Sequence, residues 1–84
     1  MIVVDASALV AILLREPEAD GFVAILEAQS PAFASPSSIL ESVAALVREQ
    51  GCSVSDARVI LDDMMKTSGV AVEPITVEMS EAAV

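Results

Sequence analysis

The sequence predicts an α/β fold in which a parallel central sheet lies between two layers of helices, a three-layer α/β/α architecture. Three short apolar runs alternate along the 84 residues with segments whose apolar residues recur at helical spacing, and this alternation is typical of βαβ units. The first run, residues 1–4, contains no polar side chain, as expected of a strand covered on both faces. The length fits a single domain over residues 1–84.

Residues 1–4 are predicted to form the first strand, and residues 7–15 a short helix. Pro17 disfavours helical geometry at the residue before it, so the chain bends there and a second helix begins with Pro17 in its first turn. The apolar residues on one face of this second helix are Ala19, Phe22, Val23 and Leu26. Residues 32–34 then form a very short second strand. A right-handed crossover through two helices makes the first two strands parallel.

The third helix is predicted from signals at its two ends. Ser35 is a typical N-cap, Pro36 is a typical first helical residue, and Gly51 ends the helix. The predicted apolar face comprises Leu40, Val43, Ala44 and Val47. Glu41 is expected on the shoulder of that face.

A fourth helix and a third strand continue the alternation. Ser53 and Asp56 form a capping pair at the start of the helix, which closes near Gly69. Its predicted apolar face comprises Ala57, Ile60, Leu61 and Met64. Residues 70–75 are predicted to form the third strand, and Thr76 to cap a last short helix. Because parallel sheets of this kind have no natural end at that point, we expect a fold that is incomplete at its C-terminus.

The composition excludes several kinds of chemistry. The chain has no histidine and a single cysteine, so a Ser-His-Asp group, a Cys-His group and a structural zinc site are excluded within it. Thirteen acidic residues against four basic ones give a net charge of −9 and no basic patch for nucleic acid. Three scattered glycines form no phosphate-binding loop. Any catalysis therefore rests on carboxylates and hydroxyls.

Neither a signal peptide nor a transmembrane helix is predicted. Asp5 interrupts the apolar N-terminus, and no Lys or Arg precedes it. The longest apolar run, residues 8–14, is much shorter than the roughly 20 residues that span a bilayer. We therefore expect a cytoplasmic protein without membrane contact.

Asp5 and Glu41 are the acids whose predicted positions suit a functional site. Asp5 follows the first strand, and ligands of open parallel sheets bind beyond the carboxyl ends of the strands. The helix that carries Glu41 begins at the same edge, so the two carboxylates can approach each other and share a cation. Oxygen ligands without nitrogen or sulfur suit Mg²⁺ or Mn²⁺. An equal alternative is that Asp5 begins a turn and accepts hydrogen bonds from the amides of the next helix, with Ser7 as a helix cap.

Three stretches carry a resemblance to a known family. They are Ile2-Val3-Val4-Asp5-Ala6-Ser7-Ala8-Leu9-Val10-Ala11-Ile12, then Glu16-Pro17-Glu18-Ala19, then Ser37-Ser38-Ile39-Leu40-Glu41. The hydrophobic-Asp-x-Ser opening is short but characteristic, and its combination with a correctly placed Leu40-Glu41 is more specific. Together they resemble the N-terminal portion of a PIN domain, specifically a VapC-type toxin ribonuclease. The resemblance covers the whole chain and the larger part of the family's domain.

The resemblance implies an endoribonuclease of a toxin-antitoxin pair. In that family an acidic cluster holds Mg²⁺ or Mn²⁺, which positions a water for in-line attack on an RNA phosphodiester. Asp5 corresponds to the first metal-ligating carboxylate, Glu41 to the second acid, and Ser7 to the hydroxyl that supports the metal site. The family's remaining acids lie downstream of the residues present. The resemblance also implies a VapB-type antitoxin as partner and a homodimer.

Two other functions fit parts of the sequence. A catalytically degenerate, truncated toxin that acts only as an antitoxin-binding or dimerisation module is consistent with 55% hydrophobic residues in so short a chain. A phosphohydrolase of the haloacid dehalogenase kind also places an aspartate after its first strand, as a covalent nucleophile. Such enzymes typically carry another aspartate two positions later, where this chain has Ser7, so this alternative ranks below the others.

Overall fold

The computed structural model describes residues 2–29 and 31–74. Within them the chain forms three strands and four helices. In order they are β1 (Ile2–Val3), α1 (Ala6–Leu13), α2 (Ala19–Ala28), β2 (Ala32–Ala34), α3 (Pro36–Gln50), α4 (Val54–Ser68) and β3 (Val70–Val72). This order confirms the predicted alternation. Met1, Ile75 and the short helix predicted after Thr76 lie outside the described residues.

The three strands form one parallel sheet in the order β1-β2-β3. Ile2 of β1 lies opposite Ala32 of β2, and Ala32 lies opposite Val70 of β3. The Val4 amide donates to the Phe33 carbonyl at 2.7 Å, so the pairing of β1 with β2 continues one residue beyond β1. The prediction of an α/β fold built on a parallel sheet is confirmed.

One face of the sheet forms the core together with all four helices. The core residues are Ile2, Val4, Ala32, Ala34 and Val70 from the strands and their continuations, and Ala8, Leu9, Leu26, Ile39, Val43, Leu46, Ala57, Leu61 and Met65 from the helices. The helices also pack on one another, α1 against α2 and α3, and α4 against α2 and α3. Of the three predicted layers, the described residues therefore supply the sheet and one layer of helices.

The ends of α3 and α4 are where the sequence placed them. The hydroxyl oxygen of Ser35 accepts a hydrogen bond from the Ser38 amide at 3.1 Å, and Ser53 caps α4 in the same way. Gly51 and Gly69 follow the two helices in the left-handed conformation, with φ of 65° and 72°, where glycine carries no Cβ penalty. The serine caps and the glycines therefore fix where α3 and α4 begin and end.

The start of α2 differs from the prediction by two residues. The helix begins at Ala19, with Glu18 as its N-cap and Pro17 in the preceding turn. The Ala19 amide donates to the Glu16 carbonyl at 2.9 Å, and the first regular helical bond runs from the Phe22 amide to the Glu18 carbonyl. The proline therefore belongs to the turn between α1 and α2.

The buried face of α3 is shifted by one position from the prediction, which is confirmed for Val43 and for the partly buried Val47 and is wrong for the other two residues. The residues that face the core are Ile39, Ser42, Val43, Ala45 and Leu46, whereas Leu40 is 70% exposed and Ala44 is exposed. The prediction selected the helix face on which every residue is apolar, whereas the face that is buried contains Ser42. Ser42 is buried nonetheless, because its hydroxyl donates to the Ser38 carbonyl at 2.8 Å and so carries no unmet hydrogen bond. Glu41 consequently lies on the exposed side of α3 and not on the shoulder of a buried face.

The buried face of α4 is shifted in a similar way. Ala57 and Leu61 are fully buried as predicted, but Ile60 is 44% exposed and Met65 is buried instead. Met64 is partly buried against the core. The buried residues thus follow i, i+4, i+8 spacing along the helix.

Arg15, two residues after α1, has an unusual backbone conformation. Its φ is 53°, the only positive φ outside glycine among the described residues. The Arg15 amide donates to the Ile12 carbonyl at 3.2 Å and the Glu16 amide to the Ala11 carbonyl at 2.9 Å, which is the Schellman pattern of a helix C-terminus. The left-handed position is normally taken by glycine, because a Cβ there crowds the carbonyl oxygen.

We expect Arg15→Gly to raise the free energy of unfolding by about 0.5–1 kcal/mol, because the relief of left-handed strain exceeds the added chain entropy of glycine. Urea denaturation measures the change. Arg15→Ala is the matched control, because it removes the same guanidinium and keeps a Cβ. Equal stability of the glycine and alanine variants would show that the backbone at this position is not strained.

Candidate active site at the carboxyl edge of the sheet

Asp5 lies where β1 ends and α1 begins. Its backbone is extended, with φ of −78° and ψ of 156°, and continues the direction of the strand. Its carbonyl accepts hydrogen bonds from the amides of Ala8 at 3.1 Å and Leu9 at 3.2 Å, which makes Asp5 the N-cap residue of α1. The side chain is therefore held at the carboxyl edge of the sheet, as predicted.

The carboxylate of Asp5 does not cap the helix. It accepts no hydrogen bond from the first amides of α1, so the structural role of Asp5 at the start of the helix is carried by its backbone carbonyl and not by its carboxylate. Oδ2 instead accepts a hydrogen bond from the Ser7 hydroxyl at 3.2 Å, and both residues are exposed. A carboxylate that carries one hydroxyl contact keeps acceptor positions open towards solvent.

Glu41 lies in the second turn of α3, which begins at the same edge because Ser35 directly follows β2. The helix packs against α1, and the Glu41 side chain is exposed. The structure thus brings Ser7 to Asp5, and it places Glu41 on a neighbouring helix that packs against α1. Over residues 2–29 and 31–74, no three side chains of the types Asp, Glu, Cys or His gather closely enough to hold a metal ion.

Two features of this edge were not identified from the sequence. Glu73 follows β3 as Asp5 follows β1, and its amide donates to the Ala34 carbonyl at 2.9 Å. The register continued from Val3 opposite Phe33 by two residues, and from Ala34 opposite Val72 by one, aligns Asp5, Ser35 and Glu73 in a row across the sheet. The signal was an acid immediately after an apolar run, the same signal that identified Asp5.

The second feature is a group of serine hydroxyls at the start of α3. Ser35 Oγ lies 3.0 Å from the hydroxyl oxygens of both Ser37 and Ser38, in addition to accepting from the Ser38 amide. Ser35 has nearly the same extended backbone as Asp5, with φ of −77° and ψ of 156°. The neighbouring strands thus end alike, but Ser35 uses its side chain to cap the helix and Asp5 does not.

Three of the four basic residues, Arg15, Arg48 and Lys66, lie away from this edge. Arg15 follows the far end of α1 and Arg48 is in the last turn of α3, where it pairs with Glu49 at 3.6 Å. Lys66 is in the last turn of α4, before β3 begins. Arg58 pairs with Asp62 at 3.6 Å on α4. Since a helical residue advances the chain by about 1.5 Å, Arg15 and Arg48 lie roughly 15–18 Å along their helices from the carboxyl edge.

Glu16 has a perturbed pKa and lies at the opposite end of α1 from Asp5. A hydrogen bond between its side chain and that of Glu18 raises the pKa of Glu16 above the ordinary value of 4.5, with further contributions from desolvation and from the negative charges of Glu18 and Glu49. The perturbation therefore concerns the turn between α1 and α2 and not the candidate active site.

The raised pKa of Glu16 predicts that Glu16→Gln increases the thermal stability of the chain, and that the increase depends on pH. The folded state holds the carboxyl proton of Glu16 more tightly than the unfolded chain does. The stabilising contribution of protonated Glu16 is therefore complete below pH 4.5 and is lost as the pH rises through its folded pKa. We expect Glu16→Gln to have a higher Tm than the unsubstituted chain at pH 7 and an equal Tm below pH 4.5. Thermal unfolding at both pH values tests this. In a Glu18→Gln background, the increase in Tm caused by Glu16→Gln at pH 7 should be smaller. An equal increase in that background would exclude Glu18 as the cause of the raised pKa.

The family model of the PIN domain matches residues 2–84. The chain therefore belongs to the PIN domain family, whose members are generally nucleases and typically use divalent metal ions. No curated protein matches the sequence. Among the described residues, no helix is long and apolar enough to cross a membrane.

Proposed function

We propose that this protein is a toxin-type endoribonuclease that hydrolyses RNA phosphodiester bonds. The observation that carries the proposal is the exposed carboxylate of Asp5, which lies at the carboxyl edge of the sheet and is oriented by the Ser7 hydroxyl. Membership of a nuclease family supports the reaction type. A carboxylate in this position can accept a proton or a hydrogen bond from water next to a bound phosphodiester.

The residues have distinct proposed roles. Asp5 orients the attacking water with its free oxygen, Ser7 holds the carboxylate in place, and Glu41 is the second acid at the edge of the site. Mg²⁺ or Mn²⁺ is the proposed cofactor, with Asp5 and Glu41 as its ligands in this chain. When bound, such an ion would lower the pKa of a coordinated water and neutralise phosphate charge. The described residues alone do not fit the ion, because they do not supply three gathered ligands.

An RNA cleavage assay tests the proposal. The purified chain is incubated with single-stranded RNA in the presence of Mg²⁺, of Mn²⁺ or of a chelator, and the products are separated on a denaturing gel. We expect cleavage with either metal and none with the chelator. Asp5→Asn is purified and assayed in parallel to reveal contaminating nuclease, and Asp63→Asn, which changes an exposed aspartate on α4, controls for the substitution and should cleave like the unsubstituted chain. Cleavage that persists with the chelator would contradict the proposal.

The toxin role adds partners to the proposal. We propose a VapB-type antitoxin and a homodimer, which the resemblance of the motifs around Asp5 and Glu41 supports. Light scattering during size-exclusion chromatography measures the oligomer, and a monomer at all concentrations would contradict the dimer.

A second candidate is a binding module without catalysis. The specific observation in its favour is that the described residues do not gather a metal-binding set. Stable association with an antitoxin in the absence of any metal-dependent cleavage would favour it over the nuclease. The phosphohydrolase alternative gains no support, since the position where that class carries a second acid is Ser7, whose hydroxyl donates a hydrogen bond to Asp5.

A further inference from the structure

We draw no further inference here: the strongest candidate, the open groove between the end of α1 and the start of α2 that is lined by Ile12, Arg15, Asp20 and Val23 among others, carries charges of both signs, and nothing in the described part of the chain shows what covers it.

Discussion

Asp5→Asn is expected to lower the rate of metal-dependent RNA cleavage by roughly 100-fold or more, the range found when an acid–base group is removed. The asparagine keeps the size of the side chain and can still accept the Ser7 hydrogen bond through its amide oxygen. It loses the negative charge and the ability to take up a proton. The change therefore removes the proposed chemistry of the site with little change in its shape. Initial cleavage rates at saturating Mn²⁺ provide the measurement.

The fold should tolerate this substitution. Asp5 is exposed, and it begins α1 through its backbone carbonyl rather than its side chain. Asparagine is also among the preferred residues at a helix N-cap. Circular dichroism and urea denaturation should thus show an Asp5→Asn variant as stable as the unsubstituted chain. Asp63→Asn is the matched control for activity, and full activity in the Asp5→Asn variant would exclude Asp5 from the site.

Local signals were sufficient for most of the fold. Ser35 and Gly51 mark the two ends of α3, and Ser53 and Gly69 mark the two ends of α4. These signals can be identified from the sequence because an N-cap oxygen and a left-handed glycine act on the backbone within a few residues. The parallel arrangement followed from the alternation of strands and helices, since a right-handed crossover permits few other topologies. The carboxyl edge, and with it the location of Asp5, followed from that arrangement.

The orientation of the helices depended on tertiary contacts that the sequence does not show. In α3 two overlapping stripes both had i, i+3, i+4, i+7 spacing, and the one that contains Ser42 is buried. Burial of that serine depends on its hydrogen bond to the Ser38 carbonyl, whereas a count of apolar residues favours the stripe with Leu40. The exposed position of Glu41 follows from the same one-residue shift.

The row of Asp5, Ser35 and Glu73 likewise depends on strand register. Periodicity predicts that a strand exists, but the residue opposite each position is set by the packing of side chains against the helices. Once Ile2 is opposite Ala32 and Ala32 is opposite Val70, the residues that follow the strands are aligned. The sequence was sufficient to identify Asp5, whereas its neighbours across the sheet, Ser35 and Glu73, could be identified only from the structure.

Leu61→Ala is expected to lower the free energy of unfolding by about 2–5 kcal/mol, the cost of deleting a buried leucine and leaving a cavity. Leu61 is fully buried in the core shared by the helices and the sheet. Native domains are stable by only about 5–15 kcal/mol, and one of 84 residues buries a comparatively small share of its surface. The substitution should therefore unfold a measurable fraction of the chain without denaturant, which circular dichroism and urea titration would detect.

Ile60→Ala is the matched control, because it removes the same number of carbon atoms from the adjacent position of α4. The sequence pattern placed Ile60 in the core, but its side chain is 44% exposed in the structure. Truncation there loses less buried surface and leaves a site open to water, so its cost should lie well below that of Leu61→Ala. Equal losses at the two positions would mean that α4 is rotated relative to the structure, and a larger loss at Ile60 would restore the face predicted from the sequence.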